Sequence, residues 1–168
     1  MKPRIINNFV DQNSFQFLKN DMFGSEFCWN YNDAIDYENE KGDRFQFNQN
    51  FYSNVGPCSA YYGRLSGILG ALRPKEIFRI KANLLTKTSE IVKNSFHIDI
   101  DALDILPWKT GILYMNTNDG YTEFEDGTVV DSVSNRFVIF PANTKHRGTS
   151  CTNERKRVVI NFNYFKNT

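Results

Sequence analysis

From residue 76 onward, segments of strand character recur at short intervals, split by strong turn chemistry. They cover 76–87, 92–100, 109–117, 121–125, 128–133, 136–140 and 156–165. Asn118-Asp119-Gly120 and Asp126-Gly127 are the clearest turns, since Asn, Asp and Gly tolerate the backbone angles that tight reversals need. Many short strands joined this way close into a sandwich or barrel. The expected class is mainly β, a double-stranded β-helix (jelly roll) with supporting helices from the N-terminal half.

That half reads differently. Residues 11–22 place Phe15, Leu18 and Met22 at helical spacing, with Asp11 as N-cap and Gly24 as stop. Ala60 to Leu72 reads as a second helix, with Tyr61, Leu65, Ile68 and Leu72 on one face and Gly67 and Gly70 weakening it. Phe45-Gln46-Phe47-Asn48 alternates as a strand does. With no repeat or linker, 168 residues are expected to form one domain, 1–75 supporting and 76–168 carrying the jelly roll.

Twenty basic residues against 19 acidic ones argue against an obligate nucleic-acid binder, which shows a basic stripe. The best local basic patch is Lys145, Arg147, Arg155, Lys156 and Arg157. Cys28, Cys58 and Cys151 are odd in number and far apart, which fits a reducing cytoplasm and excludes a C-x-x-C zinc or redox pair. The N-terminal residues show no long apolar run, and no stretch of 18 apolar residues exists, so neither a signal peptide nor a membrane span is expected.

The chain has only two histidines, His97 and His146. In Ser95-Phe96-His97-Ile98-Asp99-Ile100-Asp101, residues two apart on a strand face the same way, so His97 and Asp99 point together while Ile98 and Ile100 point oppositely. A jelly roll can return His146 to the same mouth. Two imidazoles and one carboxylate suit Fe(II) and leave the remaining coordination positions open, unlike a closed zinc site. Taken alone, H-x-D is a short pattern, and a histidine on a strand is more often packed or solvated. Asp101 also shares the face of His97, but about 13 Å further along, which is beyond the reach of an ion held about 2.1 Å from His97.

Arg157 heads Val158-Val159-Ile160-Asn161-Phe162-Asn163-Tyr164-Phe165. A guanidinium at the head of an apolar strand makes sense if it grips a carboxylate bidentately. Arg155 is a rival, whose ordinary alternative is a solvated cation. Tyr114 could add a hydroxyl to the same carboxylate, although a sheet aromatic is its commoner fate.

Taken in order, these pieces resemble the 2-oxoglutarate and Fe(II)-dependent oxygenase superfamily, in particular its prolyl 4-hydroxylase-like branch and small phage-encoded relatives. The resemblance runs from about residue 76. It rests on His97-Ile98-Asp99, Ile112-Leu113-Tyr114-Met115-Asn116, Gly120-Tyr121-Thr122-Glu123-Phe124, Arg136-Phe137-Val138-Ile139-Phe140 before His146, and Arg157 with its apolar strand. It implies that His97, Asp99 and His146 bind iron. It also implies that Arg157, helped by Tyr114, holds the distal carboxylate of 2-oxoglutarate. The implied cofactors are Fe(II) and 2-oxoglutarate, with ascorbate allowed alongside them. The implied reaction is hydroxylation of a peptide, protein or small-molecule substrate, with release of succinate and carbon dioxide. In relatives that halogenate, a small residue replaces the carboxylate ligand; Asp99 implies hydroxylation instead. The alternative is a cupin-like jelly roll that binds metal or ligand without turnover. Neither the substrate nor the oligomeric state is legible.

Overall fold

The computed structural model describes residues 2–35, 44–100 and 107–166. Its elements are β1 (Arg4–Ile6), α1 (Gln12–Phe23), β2 (Asn30–Asn32), β3 (Gln46–Ser53), β4 (Gly56–Pro57), a 3-10 turn at Tyr62–Leu65, α2 (Ser66–Leu72), β5 (Glu76–Thr86), β6 (Lys109–Tyr114), β7 (Tyr121–Phe124), β8 (Val129–Asp131), β9 (Phe137–Pro141), β10 (His146–Gly148) and β11 (Lys156–Phe165). One sheet runs β1-β9-β6-β11-β5-β3-β2, with β4 paired to β3, and the other runs β10-β7-β8. All pairs are antiparallel. The expected jelly roll is therefore present, although strands from the first 75 residues extend its larger sheet.

Local chemistry explains the elements. Asp11 accepts a hydrogen bond from Ser14 N at 2.9 Å and starts α1, which buries Phe15, Leu18 and Met22. The second helix is shorter than its sequence pattern suggests: it opens with the 3-10 turn and ends at Arg73, whose φ of 49° and following Pro74 stop it. Gly127, at φ 82°, closes the β7–β8 hairpin, and Asp126 accepts from Thr128 N. No helix among the described residues is long and apolar enough to cross a membrane.

The expected strand over 92–100 is corrected. That stretch forms no regular strand, only isolated antiparallel bridges Lys93–Thr149 and His97–His146 against β10 and its edge. Asp101 lies outside the described residues.

Two faces of the larger sheet have opposite chemistry, because side chains alternate along a strand. Val158, Ile160, Phe162 and Tyr164 of β11 and Ile80, Ala82 and Leu84 of β5 pack with Phe15, Leu18, Met22, Ile68 and Leu72 from the helices. The intervening residues face the jelly-roll interior. They align as rows across the sheet: Thr110–Asn163–Arg79, Ile112–Asn161–Lys81–Asn50 and Tyr114–Val159–Asn83–Asn48. The smaller sheet covers part of this face through an apolar cluster of Ile112, Tyr114, Phe124, Val130, Val138, Phe140 and Val159.

Candidate active site

His97 and His146 stand directly opposite each other. Each donates its backbone N–H to the other's carbonyl at 3.0 Å. Their rings lie 4.6 Å apart between centroids. Asp99 is brought under them from its own loop by Asp99 N and Ile100 N donating to Ala142 O. Asp99 Oδ1 is 3.9 Å from His97 Nε2, and Oδ2 is 4.0 Å from His146 Nε2. One ligand atom from each of the three residues lies within 4.8 Å of the others, a spacing that one ion could bridge.

The ring orientations suit that use. His146 Nδ1 sits 2.9 Å from Thr144 O, and His97 Nδ1 sits 3.3 Å from Ser95 O. An Nδ1–H donated to a carbonyl leaves the Nε2 lone pair free, the outer-sphere arrangement that metal-binding imidazoles use. A donor set of two nitrogens and one carboxylate suits iron or a similar divalent ion.

Asp99 is held tightly, its side chain only 3% exposed. Oδ2 accepts from Thr110 Oγ1 at 2.6 Å and from Asn163 Nδ2 at 2.9 Å, while Arg79 Nη2 stands 3.4 Å from Oδ1. Asn163 ties this group together by also donating to Thr110 Oγ1 and accepting from Arg79 Nε. Burial is the largest influence on the Asp99 carboxyl and pushes its pKa up. The combined pull of His146, the two hydrogen bonds and Arg79 outweighs it and holds the group below the usual carboxylate range. Burial pulls the His146 imidazole below its ordinary value, against the opposing charge of Asp99.

Arg157 lies deeper in the same interior and is 4% exposed. Its Nε donates to Ser132 Oγ at 2.9 Å, and Nη2 reaches Tyr121 O and Thr122 Oγ1 at 3.3 and 3.4 Å. All three partners are neutral, and no ion pair to Arg157 exists among the described residues. A buried charge without a counter-ion is costly. Gly120 makes room for it: a Cβ there would lie 2.6 Å from Arg157 Cδ and 2.5 Å from Ser150 O. Tyr114 lies beneath the guanidinium, 5.7 Å from ring centroid to Cζ, and donates its hydroxyl to Thr122 Oγ1 at 2.7 Å. It therefore meets Arg157 through the ring and through shared Thr122.

The structure separates the remaining expectations. Arg155 is exposed and precedes β11, so it does not share the interior with Arg157. The basic patch disperses: Lys145 pairs with Glu125, Arg147 with Glu123, Lys156 covers the Phe23 ring, and Arg157 is buried. Sequence reasoning missed Asn163, Thr110 and Arg79. The signal was available in β11, where Asn161 and Asn163 interrupt an apolar strand at the parity of Arg157.

No family model matches the chain, nor does any curated protein. Solved structures do. A Pseudomonas putida prolyl-4-hydroxylase is similar at 14% identity and TM-score 0.61, over 98% of this chain and 92% of that one. A Trichoplax adhaerens prolyl hydroxylase, in complex with a hypoxia inducible factor peptide fragment, gives 15% and 0.64 over 97% and 83%. The epimerase SnoN from nogalamycin biosynthesis, described as non-heme and alpha ketoglutarate dependent, gives 12% and 0.62 over 98% and 76%. The fold of this chain is thus the double-stranded β-helix of these oxygenase structures.

Proposed function

We propose that the chain is an Fe(II)- and 2-oxoglutarate-dependent dioxygenase, a single domain spanning 1–168, that hydroxylates its substrate and releases succinate and carbon dioxide. The observation that carries this reading is a buried, uncompensated guanidinium in the same jelly-roll interior as a converging His97, Asp99 and His146 set.

His97 Nε2, a carboxylate oxygen of Asp99 and His146 Nε2 hold the metal. Arg157 grips the distal carboxylate of 2-oxoglutarate, and Tyr114 supports it through its ring and Thr122. Ser132 and Thr122 fix the guanidinium plane, so little ordering cost remains when the carboxylate arrives. Tyr114, Val130 and Val159 of the apolar cluster line this end of the interior and strengthen that ion pair by excluding water. When bound, the metal supplies the oxygen activation that couples decarboxylation of the keto acid to hydroxylation. Thr110 and Asn163 keep Asp99 ionised and oriented. The SnoN structure with Fe3+ and alpha ketoglutarate supports the cofactor choice, and the peptide-bound Trichoplax enzyme supports a peptide or small-molecule substrate. Three free cysteines, two of them exposed, support a cytoplasmic setting.

Anaerobic addition of Fe(II) and 2-oxoglutarate should produce the metal-to-keto-acid charge-transfer band. Arg157→Ala should weaken 2-oxoglutarate binding about 10- to 100-fold or more, the lower figure being the scale of a single charge-assisted hydrogen bond. Arg155→Ala should leave it unchanged. Metal uptake with no such band would favour a non-catalytic binding protein instead.

A further inference from the structure

We propose that Lys81, together with Asn161, forms a substrate-binding pocket beside the metal site, and that the substrate is a small carboxylic acid bearing an N–H or O–H donor, as an amino acid does. This rests on the oxygenase reading above.

Lys81 is the cross-strand neighbour of Asn161 and lies one row from Asn163 and Arg79, about 6.6 Å along the strand. It shares their inward face, since Ile80 and Ala82 on either side point into the helix-covered core. Its ammonium makes no hydrogen bond or ion pair among the described residues, although it is partly buried. Burial, and then the charge of Arg79, lower its pKa, while Asp99 opposes them. An anion placed there recovers what burial costs. Asn161 Oδ1, across the strand boundary, is buried and has no hydrogen-bond partner. A donor and an acceptor without partners among the described residues thus belong to residues paired across β11 and β5, and each carries a desolvation cost that a ligand with the opposite groups removes.

The place of this pair separates it from the co-substrate end. Arg157 reaches toward β7, β8 and the ring of Tyr114 on β6. Lys81 lies on the other flank of β11, where the face continues onto β3 through Asn48 and Asn50 rather than under the apolar cluster. The ligand class follows from the local cation: Lys81 offers one ammonium on this flank, which matches one carboxylate, whereas Arg79 is turned to Asp99 at 3.4 Å. The amides of Asn50, Asn83 and Asn161 in this row and the next suit hydrogen-bonding groups.

The test uses the Fe(II)- and 2-oxoglutarate-loaded protein, with the twenty free L-amino acids and their methyl esters as probes. One or more free acids should perturb the charge-transfer band anaerobically and accelerate succinate release in air, and the matching ester should do neither. Lys81→Met should raise the concentration needed at least tenfold while leaving 2-oxoglutarate affinity within about twofold, and Lys81→Arg should restore most of the response. A melting curve checks that each variant folds. The proposal is overturned if esters act as well as acids, if no acid acts, if Lys81→Met responds like the parent, or if Lys81→Met weakens 2-oxoglutarate itself. Absence of the band in the parent protein would instead defeat the oxygenase reading.

Discussion

His146 and His97 deliver the same ring to the same point from regions built in opposite ways. His146 belongs to β10. Its side chain is 2% exposed and sits against the ring of Phe140, at 4.7 Å between centroids, with Phe124 beyond at 6.3 Å. The His97 side chain is 42% exposed, on an irregular stretch that touches the smaller sheet through single bridges. Its neighbours Phe96 and Ile98 are each 36% exposed. One ring is part of the packed interior. The other is laid over it by backbone hydrogen bonds. The jelly roll therefore needs His146 as filling as well as for chemistry, whereas His97 has no packing role to lose.

That difference makes the two histidines separable. His146→Ala and His97→Ala should both abolish tight metal binding, seen by metal analysis after dialysis. Only His146→Ala should also cost the metal-free protein about 2 kcal/mol or more, because it opens a cavity beside Phe140. His97→Ala should stay within about 0.5 kcal/mol of the parent. Equal destabilisation in denaturant melts would break the comparison.

A smaller effect sharpens it from the side of Asp99. Asn163→Leu removes the donor that joins Asp99, Thr110 and Arg79, and should weaken cobalt(II) or iron(II) binding about 10- to 100-fold without removing any ligand. Thr110→Val should act in the same direction, toward the lower end. Direct metal titration distinguishes these from a folding defect, since both variants should melt cooperatively.

The smallest expected effect is protonic. His146 has a folded pKa lowered from its ordinary 6.5, so between the two values the unfolded chain binds the extra proton. Stability of the metal-free protein is thus fully present above about 6.5 and declines as pH falls from there toward the folded value. His146→Ala should flatten that slope between pH 7 and 5. A parent protein whose stability rises on acidification through this range would contradict the buried, neutral state of His146.

Much of this architecture was legible because its signals are local. Alternation and turn residues located β5, β6, β7, β8, β9 and β11, and Asp11 and the spacing of Phe15, Leu18 and Met22 located α1. The histidine count and the i, i+2 pair singled out the three residues that converge. Their convergence has a different cause from the one expected, since 92–100 does not form a strand. Backbone bonds to Ala142 and His146, both distant in sequence, aim Asp99 and His97. The support around Asp99 was less visible for a related reason. Thr110 and Asn163 are ordinary residues until β6 and β11 are in register, and register is a tertiary property. The short strands β1, β2 and β10 have three residues each, too few to show alternation, and none has beside it a turn signal like the Asp126-Gly127 that marks the equally short β8.

The mutual backbone pairing of His97 and His146 also has a mechanical consequence. An ion held by both side chains closes a ring already half closed by two peptide hydrogen bonds, so it works as a clasp on the stretch that lacks a strand of its own. Binding free energy then appears as protection of that stretch. Amide hydrogens of His97 and His146, and cleavage by proteases within 88–100, should slow together as metal is added, well before any change in the strands that carry Arg157.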